Sequence, residues 1–399
     1  LCGAHVVSNY APLLDARLPG IQTRLDGLGS HARRRIQAMP VRLEALSVIS
    51  PSIFVPFLDS EVKALVQLRP GEVRVGQLVS VLGASPAPES WQQAHRAGAR
   101  YALLGIPEDL GPRANLGRPG AEGAWEAFLQ VFLNQQANHF LPSRQVLLAG
   151  RVQTRDLQEA ARGLGSEPRD IQRLRELCSQ LDARVAPILQ EIVASGLIPV
   201  VIGGGHNNAF PIMQGVVAGL RARGEDWKRG LAVVNCDPHA DFRTLEGRHS
   251  GNGFSYAQQA GLLGSYFVLG LHEGFNSQEM LDRLVASGGR YVTYESVFVR
   301  RELDFGQALD QAVAHVLASA CPVGLELDLD ALAGMPSSAQ TPNGLSCEEA
   351  ARFLHYLAHR VPVGWLHLAE GAPALAPEGG LRQVGKALAF LVSTFLKAG

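Results

Sequence analysis

The chain has 399 residues, 46% of them hydrophobic and 18% charged, which supplies a large packed core and excludes a disordered chain. With 36 lysines and arginines against 37 aspartates and glutamates, the formal net charge of -1 gives no electrostatic basis for a nucleic-acid partner or an anionic membrane surface. No apolar run approaches the roughly 18 to 20 uncharged residues of a membrane helix, and five scattered cysteines without a CxxC pair point to a reducing, cytoplasmic setting rather than a disulfide framework or a structural zinc site.

Residues 1–96 show little regular periodicity and contain turn-rich pieces such as GASPAPES (83–90). They are expected to form an N-terminal extension that packs on the main domain or serves assembly. Within them, HARRR (31–35) reads as a solvated charged face, and GLGSHA (27–32) fits a dinucleotide turn only loosely because no strand precedes it. From residue 97 the pattern changes. ARYALLGIPE (99–108), RQVLLAG (144–150), LIPVVIGGG (197–205), GLAVVNCD (230–237), SYFVLGLHE (265–273), RYVTY (290–294), PVGLELDLD (322–330) and VGWLHLAE (363–370) read as strands. Helical segments lie between most of them, and a last one follows at 382–397. Such alternation predicts βαβ units, hence an α/β domain over 97–399: a three-layer α-β-α sandwich around a mostly parallel sheet, with ligands bound at the carboxyl ends of the strands.

Three of those strand ends carry the chemistry. Asp237, His239 and Asp241 stand at alternate positions after an apolar run, so they project the same way if the backbone stays extended. Pro238 biases Asp237 away from helix. Glu326, Asp328 and Asp330 repeat the alternation on a second strand, and three glycines deliver His206 from a third. Cys236 has the opposite parity and should face away. Two carboxylates ~4 Å apart repel by about 4 kcal/mol at an effective dielectric near 20. A bland arrangement of solvated turn carboxylates avoids that cost. A pair of divalent cations offsets it, and two imidazoles with oxygen ligands and no thiolate favour an ion such as Mn²⁺. Two ions ~3.5 to 4 Å apart activate a bridging water, whose hydroxide attacks an electrophilic carbon.

GGGHNNAFP (203–211), DPHADFR (237–243) and LDLDAL (327–332) together resemble, in order and spacing, the metal motifs of the arginase/agmatinase/formimidoylglutamase (ureohydrolase) family, and GRPGA (117–121), TPNGLS (341–346) and AEGAP (369–373) extend the resemblance over 97–399. RANLGRPGAEGAW, RHSGNGFSYA and GLHEGFNSQ are most similar to the formimidoylglutamase members. The resemblance implies an enzyme that hydrolyses N-formimidoyl-L-glutamate to L-glutamate and formamide, a step of histidine degradation. It implies one Mn²⁺ held by His206, Asp237, Asp241 and Asp328, and a second by Asp237, His239, Asp328 and Asp330. Asp241 and Glu370 become catalytic candidates, Glu370 as partner of the amidine nitrogens. His249 is either a proton-shuttling histidine or an ordinary loop residue. Arg118, Arg243, Arg248, Ser250 and Asn252 are the substrate-binding candidates, although a structural ion pair is as good a role for each arginine. The expected partner is a small amidine or guanidino compound, and a homo-oligomer is left open. Agmatinase, arginase or another guanidino-acid hydrolase is the alternative within the family. A non-catalytic arginase-like binding protein and a mononuclear zinc deacetylase of related architecture lie outside it. Glu326 departs from the small hydroxyl residue usual at its position, and Ala331–Gly334 lacks the Asp-Pro that often follows the third motif.

Overall fold

The structure is a computed structural model that describes residues 50, 52–84, 87–225, 230–319, 321–377 and 380–398. The extension before residue 50, with its HARRR and GLGSHA runs, lies outside the described residues. Among the described residues ten strands form one sheet. They are β1 (Phe54–Pro56), β2 (Ser80–Val81), β3 (Tyr101–Gly105), β4 (Val146–Val152), β5 (Ile198–Ile202), β6 (Leu231–Cys236), β7 (Leu263–Leu271), β8 (Arg290–Thr293), β9 (Val323–Asp328) and β10 (Val363–Ala369). Their order is β1-β4-β3-β5-β10-β9-β6-β7-β8, with β2 beside β4. Every pairing is parallel except β1 with β4. The later part of the N-terminal stretch, from Phe54, is therefore tied into the same sheet as the rest.

The strands read as near-continuous apolar runs because helices cover both faces, as a parallel sheet requires. One face packs Val234, Cys236, Leu325, Leu327 and Leu368 under the helices Ala124–Phe132, Phe305–Leu317, Cys347–Ala358 and Gly380–Ala398. Cys236 thus faces away from the Asp237 side, as its parity predicts. The other face packs Val201, Val233, Tyr266, Val268 and Trp365 under Pro168–Ala194, Ala209–Ala222, Gly253–Gln259 and Gln278–Ala286. The 27-residue helix Pro168–Ala194 buries Ile171, Leu174, Leu177, Leu181, Val185, Ile188 and Ile192, the i, i+3, i+4 stripe of an amphipathic helix. Among the described residues no helix is long and apolar enough to cross a membrane.

The chain order places the chemistry. β3 and β4 lie on one side of β5, while β6, β7 and β8 run the other way, and β9 and β10 fill the gap between β5 and β6. Neighbouring strands that leave the sheet in opposite directions open a crevice at their carboxyl ends. The four adjacent strands β5, β10, β9 and β6 end in the segments carrying His206, Glu370, Asp328–Asp330 and Asp237–Asp241.

Two glycines set the spacing of the helix pair on one face. A Cβ on Gly215 would stand 2.4 Å from the Ala186 carbonyl oxygen and 2.4 Å from Leu189 Cβ, and one on Gly219 would stand 2.6 Å from Val193 Cβ. Gly215→Ala should therefore lower stability by about 1–3 kcal/mol, because backbone cannot yield as a side-chain tip does. Chemical denaturation of the variant checks this, and an unchanged midpoint would show that Pro168–Ala194 and Ala209–Ala222 do not pack this closely.

Candidate metal centre

β5 leaves the sheet through Gly203 and Gly204, both with positive φ (85° and 70°). A Cβ on Gly204 would stand 2.4 Å from Asn208 Nδ2 and 2.7 Å from Glu108 Oε1, so this turn needs glycine. The buried Glu108 carboxylate anchors the turn: Oε1 accepts from Gly205 N at 2.8 Å and Asn208 Nδ2 at 2.6 Å, and Oε2 accepts from Leu110 N at 2.6 Å. Burial pushes this carboxyl up to about 7, against the pull of those donors. Glu108 was not singled out in the sequence; an acid directly after β3, at the sheet's carboxyl end, was the available signal.

The turn delivers His206 into the carboxylates. Its Nδ1 lies 3.1 Å from Asp237 Oδ2, 3.0 Å from Asp241 Oδ2 and 3.1 Å from Asp328 Oδ2. None of the three approaches has hydrogen-bond geometry, and the ring nitrogens are buried without a hydrogen-bond partner. Three carboxylate oxygens and an imidazole nitrogen that face one another without hydrogen-bonding form a donor set that could hold a cation. On the other side of Asp237, His239 Nδ1 lies 3.4 Å from Asp237 Oδ1 and 3.9 Å from Asp330 Oδ2. Backbone amides fix the rotamers: His239 N donates to Asp237 Oδ1 at 2.7 Å, Asp330 N to Asp328 Oδ1 at 2.7 Å, and Ala339 N to Asp330 Oδ1 at 3.1 Å. Asp241 reaches the cluster only with φ of 47°, a left-handed conformation that a non-glycine residue adopts at a cost.

The electrostatics agree with a cation site. Burial raises the carboxyls of Asp328 and Asp241, and like charge from Asp330 and Asp237 adds to it. Burial opposes charge on His239, yet Asp237 and Asp330 push its ring up to about 10. Both directions mean that the cluster attracts positive charge.

Glu370, at the end of β10, also has positive φ (65°), and its Oε1 accepts from His206 N at 2.8 Å. Its Oε2 is buried without a partner. Burial and the neighbouring Asp330 push its carboxyl up to about 8. Glu370, His239, Asp241, Asp328 and Asp330 open onto a cavity of about 270 Å³, whose remaining wall includes Asn115, Leu116, Arg243, Ser250, Phe275 and Met280.

The other expected site residues divide. Arg243 and Ser250 line the cavity, and Arg243 is exposed there with no ion pair among the described residues. Arg118 does not line this cavity: it donates from Nε to Ser338 O at 3.1 Å and from Nη2 to Ser337 O at 2.7 Å, holding the loop whose Ser338 does. Arg248, open between a substrate contact and a structural ion pair, takes the structural role. Its guanidinium is buried, with Nε donating to Asp182 Oδ2 at 2.7 Å, Nη2 to Asn207 O at 2.6 Å and Nη1 to Asn252 Oδ1 at 3.0 Å, between the rings of Phe210 and Tyr256. Asn252 is spent in the same network, donating to Thr244 O and Gly247 O. Of the two readings of His249, its contacts favour the loop residue. Its Nδ1 accepts from Gly251 N at 3.2 Å and its Nε2 faces Glu246 Oε1 at 3.2 Å, away from the cavity. Burial, with Arg175, Arg243 and Arg248 nearby, pushes its ring down to about 3.

The sequence profile of the Arginase family matches residues 99–394. The chain belongs to the arginase family. The formimidoylglutamase of Aeromonas hydrophila subsp. hydrophila is 34% identical over 291 residues, covering 71% of this chain and 82% of that protein. The formimidoylglutamase of Aromatoleum aromaticum is 29% identical over 306 residues, covering 74% of this chain and 84% of its own. In three dimensions the chain is similar to Trypanosoma cruzi formiminoglutamase solved with Mn²⁺, with a TM-score of 0.59 at 19% identity, over 82% of this chain and 99% of that one. That likeness bears on the arginase-like fold.

Two outcomes check the roles of Arg248 and His249. Arg248→Met should cost about 3–5 kcal/mol by leaving Asp182 buried and unpaired, and adding Asp182→Leu should recover much of it; full stability in the single variant would contradict the buried pair. For His249, the unfolded chain binds its proton near about pH 6.5 while the folded ring does not, so folding stability falls as pH drops below that value. His249→Gln should reduce this acid-side loss and leave any pH–rate profile in place. A lost limb near neutrality in that profile would restore the shuttle.

Proposed function

We propose that this arginase-family protein is a manganese-dependent hydrolase of a linear amidine bearing a carboxylate, with N-formimidoyl-L-glutamate as substrate. The observation that carries the proposal is one cavity lined by both the carboxylate–imidazole cluster and an unpaired guanidinium, that of Arg243. The naming of the similar bacterial proteins as formimidoylglutamases supports the same substrate.

In this reading His206, Asp237, Asp241 and Asp328 would hold one Mn²⁺, and Asp237, His239, Asp328 and Asp330 would hold the other. A divalent pair bound there would supply hydroxide from water near neutral pH. The chain's own residues do the rest. Glu370 Oε2, buried and without a partner, accepts from the amidine N–H groups and turns the electrophilic carbon toward the cluster. An amidinium beside Glu370 favours its charged form and so offsets the burial that raises it. Asp241, which lines the cavity, takes the proton released from water and passes it to the departing amine as the carbon–nitrogen bond breaks. Arg243 receives the substrate carboxylate, and Leu116, Phe275 and Met280 cover the methylene chain and exclude water.

A second reading, hydrolysis of a guanidino acid with one carboxylate, rests on Arg243 being the cavity's only guanidinium among the described residues once Arg118 and Arg248 are engaged elsewhere. An agmatine-like amine fits worse, since Arg243 repels its cationic tail.

An activity panel on Mn²⁺-loaded protein separates these readings. Formamide from N-formimidoyl-L-glutamate alone supports the first, and urea from a guanidino acid supports the second. No product from any substrate with two metals bound would favour a non-catalytic binding protein. Asp237→Ala should abolish metal binding and turnover together. Glu370→Gln should keep the metals and lose at least about 100-fold in kcat/KM, the scale of one positioned electrostatic contact; wild-type turnover would remove Glu370 from this role.

A further inference from the structure

Glu326 lies in surroundings built for a carboxylate. It is 0% exposed, as are His206, His367, Trp365 and Asn235 around it. In the register of the sheet Glu326 sits between His367 of β10 and Asn235 of β6, one row below the residues that end in Asp328 and Asp237. Trp365 Nε1 donates to Glu326 Oε1 at 2.6 Å, and His367 Nδ1 donates to Oε2 at 2.6 Å. The indole reaches that position by lying across Gly324, where a Cβ would stand 1.9 Å from the Trp365 ring. His367 Nε2 lies 3.4 Å from Gly203 O, in the turn that carries His206.

The same carboxylate faces the back of His206. Oε2 lies 3.5 Å from His206 Nε2, which is buried and has no hydrogen-bond partner, while Nδ1 of the same ring faces Asp237, Asp241 and Asp328. An imidazole binds a metal through one nitrogen only when the other carries the proton, and a carboxylate behind that second nitrogen fixes which one it is. Asn235 serves the neighbouring ligand, donating from Nδ2 to Asp237 Oδ2 at 3.0 Å. The row His367–Glu326–Asn235 therefore underlies one imidazole and one carboxylate of the same cluster.

We propose that Glu326 is a positioning residue for His206: its carboxylate behind Nε2 favours the proton on that nitrogen, so that the Nδ1 lone pair is presented to the cation. The inference rests on His206 being a metal ligand. Trp365 and His367 supply one donor to each carboxylate oxygen and hold the group in place behind the ring.

The test is Mn²⁺ binding to the full chain by equilibrium dialysis, with melting of the metal-stripped protein and the visible spectrum of the Co²⁺-loaded protein followed in parallel. Glu326→Gln should weaken Mn²⁺ binding by about 10- to 100-fold, the scale seen when the partner behind a metal-binding histidine is lost, and should shift the Co²⁺ bands. Trp365→Phe, which keeps the carboxylate, should lower the melting temperature yet leave Mn²⁺ affinity near wild type. If Glu326→Gln does not fold, Glu326→Ser is read in its place, with the same loss of affinity expected. Wild-type Mn²⁺ affinity and Co²⁺ spectrum in the variant, with only the melting temperature changed, would overturn the proposal. So would a third metal ion that disappears with Glu326, because the residue would then be a ligand. A wild-type protein that binds no Mn²⁺ would instead sink the metal-centre reading itself.

Discussion

The constraint on which the site depends is the gathering of four aspartates at one end of a buried sheet. Asp237, Asp241, Asp328 and Asp330 are each less than a tenth exposed. At the effective dielectric of such sites, each close carboxylate pair costs about 4 kcal/mol, before the loss of hydration is counted. Positive charge there removes the cost, and much of the local structure serves to hold the carboxylates in place for it. Backbone amides pin Asp237, Asp328 and Asp330, Glu108 clamps the glycine turn that brings in His206, and Asp241 and Glu370 take left-handed backbone to reach their places. Strained backbone at two cluster residues indicates that geometry here is set by function rather than by stability.

The sheet order turns this local arrangement into a site with access. Because β9 and β10 are inserted between β5 and β6, four strand ends that are far apart in sequence become consecutive neighbours. The crevice they leave is bounded by loops rather than by the sheet. Its lining combines the cluster with one guanidinium, that of Arg243, and with the apolar Leu116, Phe275 and Met280. The proposed substrate, with a polar reacting end, a short methylene chain and an anionic tail, matches that composition.

The candidate cluster was legible in the sequence because its residues follow directly on apolar strands. Parity holds only as far as those strands do: it puts Cys236 on the face away from the cluster and Glu326 with Asp328, but β6 ends at Cys236 and β9 at Asp328, so His239, Asp241 and Asp330 are brought in by turns, Asp241 with left-handed backbone, and not by the extended backbone on which their alternation was read. The three glycines announce the turn before His206. The arginines were not legible, because an ion pair depends on a partner brought in by tertiary structure: Asp182, which engages Arg248, lies 66 residues upstream on a helix. Arg243 and Arg248, five positions apart on one loop, end in opposite settings. His249 looked like a shuttle by its neighbourhood, but its ring turns into the loop's own hydrogen bonds. Glu326 was placed near the metals by parity, while its role was hidden because Trp365 and His367 come from a strand 39 and 41 residues further on.

The central claim is that this cluster is a two-cation site, and the most direct measurement is anomalous scattering at the manganese edge from crystals of the Mn²⁺-loaded protein. The account predicts two peaks, one among His206, Asp237, Asp241 and Asp328 and one among Asp237, His239, Asp328 and Asp330. An intact protein whose crystals show no manganese there, or a single ion that leaves His239 and Asp330 unligated, would contradict it.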